Sequence, residues 1–221
     1  MKAALYLVPV LAATVFLLIR AELLGKRWQV YLFKPLSTLL VIAVAATSFL
    51  EPTRNLIYTM GALGGLLFSL GGDIALMFKQ YRHAFTIGLG LFLVAHVVYA
   101  VTFTWLGRFS IWDLLSAAVL LIAVLWFYRL IEPNLGAMKG SVIAYMLIIS
   151  VMVSRALSTL VSPVFSAGQA LLVVFGALLF YGSDMILAAN RFWRPWRYHR
   201  VSLVFYYSGQ LLIALAANYF V

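Results

Sequence analysis

Apolar segments as long as a bilayer is thick recur eight times along this 221-residue chain, and that repetition constrains the fold more than any motif. A helix needs roughly 20 apolar residues to cross the hydrocarbon, where only helices and closed barrels satisfy their own backbone groups. The segments run approximately over 3–19, 30–50, 55–78, 83–104, 110–129, 138–160, 166–190 and 199–221. Glu51-Pro52, Glu132-Pro133-Asn134 and Ser162-Pro163 separate them, because proline restricts the residue before it and donates no hydrogen bond. Lys79-Gln80-Tyr81-Arg82 separates the third from the fourth. The first run is followed by further spans rather than by a small-residue cleavage site, so it reads as a retained helix. The expectation is an all-α polytopic membrane protein, a single bundle of eight transmembrane helices forming one domain over 1–221.

Charge sets the expected orientation. Sixteen basic and six acidic residues give a formal net charge of +10, which in a soluble protein would suggest nucleic acid. Here the cations cluster in short connections, where they meet anionic lipid headgroups, so no nucleic-acid partner is expected. The odd-numbered loops hold eleven of them: Arg20, Lys26, Arg27, Lys79, Arg82, Arg129, Lys139, Arg191, Arg194, Arg197 and Arg200. The other side holds Lys2, Arg54 and Arg108. That imbalance places the odd loops in the cytoplasm and both termini outside. Trp193 and Trp196 alternate with arginines in the last odd loop, as in an interfacial aromatic belt. With no cysteine, thiolate chemistry and cysteine metal sites are excluded. The three histidines do not supply three or four convergent ligands, so no metal or cofactor is expected.

Against this background, Asp73 in Gly71-Gly72-Asp73-Ile74 and Asp184 in Gly182-Ser183-Asp184-Met185 stand out. A carboxylate within a membrane span is costly and marks a functional-site hypothesis. Both lie five or six residues before the cytoplasmic ends of their segments, roughly 8–10 Å deep. If they face one polar cavity, they form a coupled pair sharing a proton, able to act as acid and base. The alternative is that each satisfies a polar group of a neighbouring helix, or that Lys34 pairs with one of them. The small residues before each aspartate permit close helix approach.

Lys34-Pro35 is expected to open the second helix, where a lysine and free N–H groups could hold a lipid phosphate; the bland alternative is a snorkelling lysine. Thr38 shares Lys34's face at i+4 spacing. His96 with Tyr99, and Tyr207 with Gln210, are pairs three residues apart that present polar tips to one side of a helix. Interhelical hydrogen bonding and a place in a substrate cavity are both open to them. Arg155, deep in the sixth segment, could reach the interface, pair with a carboxylate or compensate a partner elsewhere.

Taken together, Lys34-Pro35, Gly72-Asp73, Ala95-His96 with Tyr99, Ser183-Asp184, and Tyr206-Tyr207 with Gln210 resemble the bacterial YhhN family, whose animal relatives are transmembrane lysoplasmalogenases. The resemblance spans almost the whole chain and implies one YhhN-like domain in a bacterial inner membrane. It further implies hydrolysis of the vinyl-ether bond of a lysoplasmalogen, releasing a fatty aldehyde and a glycerophospho-alcohol. Asp73 and Asp184 are then the catalytic candidates. Lys34, His96, Tyr99, Tyr181, Tyr207 and Gln210 are the candidates for substrate binding. Partners are then the lysophospholipid and membrane lipids. A proton-coupled lipid or solute transporter would use the same carboxyls.

Overall fold

The computed structural model describes residues 2–78 and 80–219, with Lys2 described by its backbone alone. Lys79 and the Lys2 side chain, both used above for orientation, lie outside the described residues, as do Phe220 and Val221 of the eighth segment. The described residues form eight α-helices and no strand: α1 (Lys2–Leu23), α2 (Arg27–Ala46), α3 (Leu56–Met77), α4 (Ala84–Leu106), α5 (Ile111–Ile131), α6 (Lys139–Leu157), α7 (Ala167–Phe192) and α8 (Val201–Ala216). Seven are long and apolar enough to cross a membrane. The 16 residues of α8 span about 24 Å. The helices pack into one polytopic bundle, α3 on α4, α7 on α8 and α1 on α2, with α6 bridging α4, α5 and α7. Membrane helices of this kind leave large apolar side chains exposed on their lipid side, as α5 does with Trp112, Ile122 and Trp126.

Helix ends follow the breaker residues. Ser110 and Asp113 form a capping box at the start of α5, as Ser166 and Gln169 do at α7, satisfying amides that have no partner within the helix. Gln169 also donates from Nε2 to the Ala216 carbonyl at 3.3 Å, fixing the start of α7 to the end of α8. Helix α8 stops earlier than its apolar pattern suggests because Asn218 turns back to α2. Its Nδ2 donates to the Val44 carbonyl at 3.0 Å, and Thr47 Oγ1 donates to its Oδ1 at 2.9 Å.

Helix α2 corrects one expectation. It starts at Arg27, after a turn in which Gly25 adopts a φ of 66°, so Lys34-Pro35 sits in its interior rather than at its opening. The apolar stretch from Trp28 to Phe33 is helix-competent and extends the helix toward the N-terminus. The free N–H groups of a helix start are therefore not available beside Lys34. Pro35 instead interrupts the ladder, and side chains support the backbone around it. Ser37 Oγ donates to the Phe33 carbonyl at 2.8 Å, and the Tyr207 hydroxyl to the Lys34 carbonyl at 3.0 Å.

Two close helix contacts depend on glycine. A Cβ on Gly176 would stand 2.9 Å from the Gly209 carbonyl oxygen, so α7 and α8 touch backbone to backbone. A Cβ on Gly72 would stand 2.6 Å from Phe92 Cε2, in the place where that ring lies beside Asp73. Small residues let membrane helices approach in this way.

The end of the bundle away from the odd loops is closed by packing. The Tyr58 ring lies 6.3 Å from Phe103 and 5.8 Å from Phe165, and its hydroxyl donates to the Ile213 carbonyl at 2.9 Å. Arg155 belongs to this end. Its Nη1 donates to Asp113 Oδ1 at 2.7 Å and its Nε to Thr104 Oγ1 at 3.1 Å. Asp113 Oδ2 meanwhile accepts from the Ser110 amide at 2.7 Å. Arg155 thus ties α6 to the start of α5 and to α4.

Candidate active site

Asp73 is reached by side chains of two other helices. Its Oδ2 accepts from Thr38 Oγ1 of α2 at 2.6 Å and from the Tyr206 hydroxyl of α8 at 2.7 Å. Lys34 Nζ stands 3.3 Å from its Oδ1. The carboxyl is buried, and each oxygen has a donor or a cation, as a buried charge requires. The i+4 pair Lys34 and Thr38 therefore acts as one grip on Asp73 from a single turn of α2.

Asp184 has a different set of partners. The Tyr145 hydroxyl of α6 donates to its Oδ2 at 2.5 Å, and His96 Nε2 of α4 stands 3.7 Å from the same oxygen. His96 Nδ1 lies 2.6 Å from the Phe92 carbonyl oxygen. Since a carbonyl only accepts, Nδ1 carries the hydrogen and Nε2 is the nitrogen turned to Asp184. That nitrogen is buried with no other hydrogen-bond partner, and 3.7 Å is longer than a hydrogen bond.

Between these two groups lie packed rings. The Tyr206 ring contacts Phe92 at 5.8 Å and Phe180 at 5.3 Å, while Phe180 lies 4.5 Å from His96. Among the described residues, Asp73 and Asp184 share no hydrogen-bond donor. The two carboxyls thus have separate polar partners, Thr38, Tyr206 and Lys34 for Asp73 and Tyr145 and His96 for Asp184.

Two adjoining cavities reach this region. The larger, about 1080 Å³, opens among the α1–α2, α3–α4 and α7–α8 connections and is lined by Arg27, Lys34, Arg82, Arg191 and Arg200 with Glu22. The smaller, about 40 Å³, is an apolar slot between α4, α6 and α7, lined by Leu89, Phe92, Val142, Met146, Tyr145 and Asp184. Leu76, Phe85 and Leu187 line both, so the basic vestibule and the apolar slot meet along a common wall. Of the eight candidates from the sequence, Lys34 lines the vestibule and Asp184 the slot; the other six line neither.

Those six sit within the packed bundle in this structure. Tyr99 donates from its hydroxyl to Gln210 Oε1 at 2.8 Å, and Gln210 Nε2 donates to Ser69 Oγ at 2.9 Å, one turn before Asp73. Tyr207 holds the Lys34 carbonyl, and Tyr181 is half-buried against the larger apolar core. Asp73 and His96 are enclosed by the contacts already described. Sequence reasoning singled out neither the Tyr145 contact nor the Tyr206 contact. A tyrosine in an apolar helix carries no signal that separates a carboxyl partner from packing. Among the described residues no group of three or more His, Cys, Asp or Glu side chains converges as metal ligands would.

An all-α bundle of eight apolar helices defines a polytopic membrane protein. The chain belongs to the YhhN family, whose sequence model matches residues 29–217 and so includes both carboxyl clusters. It is 35% identical over 159 residues to "Lysoplasmalogenase TMEM86A" of Bos taurus, covering 69% of this chain and 63% of that protein. It is 34% identical over 158 residues to the Homo sapiens protein of the same name, with the same coverage. "Lysoplasmalogenase TMEM86B" of Sus scrofa is 32% identical over 165 residues, covering 73% of this chain and 65% of that protein. The chain thus spans less than two thirds of the length of these relatives. No solved structure matches it.

Proposed function

We propose that this chain, a single YhhN-like domain, hydrolyses the vinyl-ether bond of a lysoplasmalogen, releasing a fatty aldehyde and a glycerophospho-alcohol. The observation that carries the proposal is the junction of a cationic vestibule with an apolar slot that holds Asp184. A single-chain lipid has the matching form: a phosphate headgroup for the vestibule and the enol ether where the two cavities meet, with only the first chain carbons at the slot. Similarity to proteins named as lysoplasmalogenases supports the same substrate class.

An enol ether has no carbonyl to attack. Its β carbon must first take a proton, leaving an oxocarbenium ion shared between the α carbon and the oxygen. Asp184, the carboxyl that lines the slot, supplies that proton, and its carboxylate then faces the cation it has made. Water adds at the α carbon and returns a proton to Asp184, so the carboxyl ends the cycle as it began. The hemiacetal breaks its bond to the glycerol oxygen, which leaves with a proton, and the aldehyde is released. Tyr145 and His96 orient Asp184. Lys34 reaches the phosphate from the floor of the vestibule, and Asp73 positions Lys34, giving the two aspartates different tasks. The excess of cations in the odd loops supports a vestibule that faces the cytoplasm.

The test is product analysis on purified protein supplied with a vinyl-ether lysolipid, its saturated alkyl-ether analogue and an ester-linked lysolipid. Aldehyde should form from the vinyl ether alone, with deuterium on its α carbon when the reaction runs in deuterated water. Comparable cleavage of the ester lipid would overturn the chemistry. Gradient-dependent flux in vesicles without any product would favour a transporter instead.

A further inference from the structure

The cations around the vestibule outnumber its acidic residues five to one. Five side chains with a permanent or near-permanent positive charge, Arg27, Lys34, Arg82, Arg191 and Arg200, line one cavity that contains a single carboxylate, Glu22. Lys34 is offset by Asp73 at 3.3 Å. The four arginines form no ion pair among the described residues. Arg191 instead lies 3.7 Å above the Phe85 ring, on the wall the vestibule shares with the slot. A cation-lined concavity with protein walls concentrates its field on whatever enters it.

Arg200 supplies a second, independent observation. Its Nε is buried and has no hydrogen-bond partner. Loop cations that serve orientation alone remain solvated, whereas a buried N–H without an acceptor is destabilising until one arrives. Arginine presents its donors as a planar fork that matches phosphate oxygens. Arg200 lines the vestibule, and its fork has donors to offer an oxyanion there.

From this we infer that the vestibule selects lysolipids whose headgroup carries net negative charge, a phosphoglycerol or a bare phosphate, over zwitterionic phosphocholine, with Arg200 as a specificity-determining residue. The inference rests on the function proposed above and specifies its substrate. Phosphocholine brings its own cation. That quaternary ammonium donates no hydrogen bond and finds one carboxylate against four arginines without counter-ions. A phosphoglycerol headgroup brings the same phosphate without the repulsion and adds hydroxyls.

The test separates binding from turnover. Saturated alkyl-ether lysolipids, which cannot undergo enol-ether protonation, are titrated into the purified full chain by calorimetry with phosphoglycerol or phosphocholine headgroups. Phosphoglycerol should bind about tenfold more tightly, and the gap should fall below about twofold in Arg200→Gln. Arg82→Gln should narrow it as well, and it serves if the first variant does not fold. Arg54→Gln, at the opposite end of the bundle, should leave it unchanged. Equal affinities, tighter phosphocholine binding, or a gap that survives both vestibule substitutions would overturn the inference. So would glycerol 3-phosphate binding as tightly as the phosphoglycerol lipid, which would make the vestibule a site for a soluble anion. Aldehyde release from both vinyl-ether lipids without a binding gap would sink headgroup selection and leave the hydrolase standing. A tenfold gap with no aldehyde from either would do the reverse.

Discussion

The Tyr145 hydroxyl donates to Asp184 Oδ2 at 2.5 Å, linking α6 to α7 within the lining of the apolar slot. Tyr145→Phe removes the donor and leaves the ring, which also packs edge-on against His96 at 5.2 Å. A hydrogen bond to a charged group contributes roughly 1.5–3 kcal/mol, so kcat on a vinyl-ether lysolipid should fall about tenfold to a hundredfold. Steady-state aldehyde assays would check this, and an unchanged kcat would remove Tyr145 from the mechanism.

Asp184→Asn keeps the size of the side chain and removes the acid. Aldehyde release should drop by about two to four orders of magnitude, while the saturated ether lysolipid should still bind within a few-fold of the unsubstituted protein. Turnover and calorimetric titration on the same preparation separate the two effects. Retention of full activity would reject the proposed acid.

The Lys34–Asp73 pair should show itself in stability. Removing one partner of a buried ion pair costs about 3–5 kcal/mol, and these side chains are 12% and 2% exposed. Asp73→Asn should therefore lower Tm strongly by leaving the ammonium unpaired. Lys34→Met should lower it less, because the carboxylate keeps its Thr38 and Tyr206 donors. The double variant should be more stable than Asp73→Asn alone. Thermal unfolding in detergent would test that order, and strict additivity would mean the two groups are not coupled.

Asp113 and Arg155 lie away from both cavities. Asp113→Asn should destabilise the bundle by about 1–3 kcal/mol through the weakened cap and the lost ion pair. KM and kcat per folded molecule should stay within about twofold. A selective change in KM would place this pair in the site after all.

The helices were legible because apolar length and proline breaks report directly on bilayer crossing, and one helix lies in each of the eight segments, with ends that differ by a few residues. The start of α2 was not, since Lys34-Pro35 imitates a helix opening while Trp28 to Phe33 is equally able to be helical. The carboxyls were legible by their cost in lipid, and the grip of Thr38 by its spacing from Lys34. Their tyrosine partners Tyr206 and Tyr145 were not, because aromatic residues in an apolar helix look alike in sequence. Arg155 had no local partner to reveal it; Asp113 lies on another helix, 42 positions away.

The packing of Tyr58 against Phe103 and Phe165 has a consequence for supply. With that half of the bundle packed by rings and the ion pair of Arg155, the substrate proposed above would present its headgroup at the basic mouth. Two chemically identical molecules in opposite leaflets are then unequal substrates. One is within lateral diffusion of the site, and the other must first flip its headgroup across the hydrocarbon. At steady state, consumption would deplete one leaflet and leave a transbilayer imbalance of single-chain lipid, which favours curvature toward the fuller side.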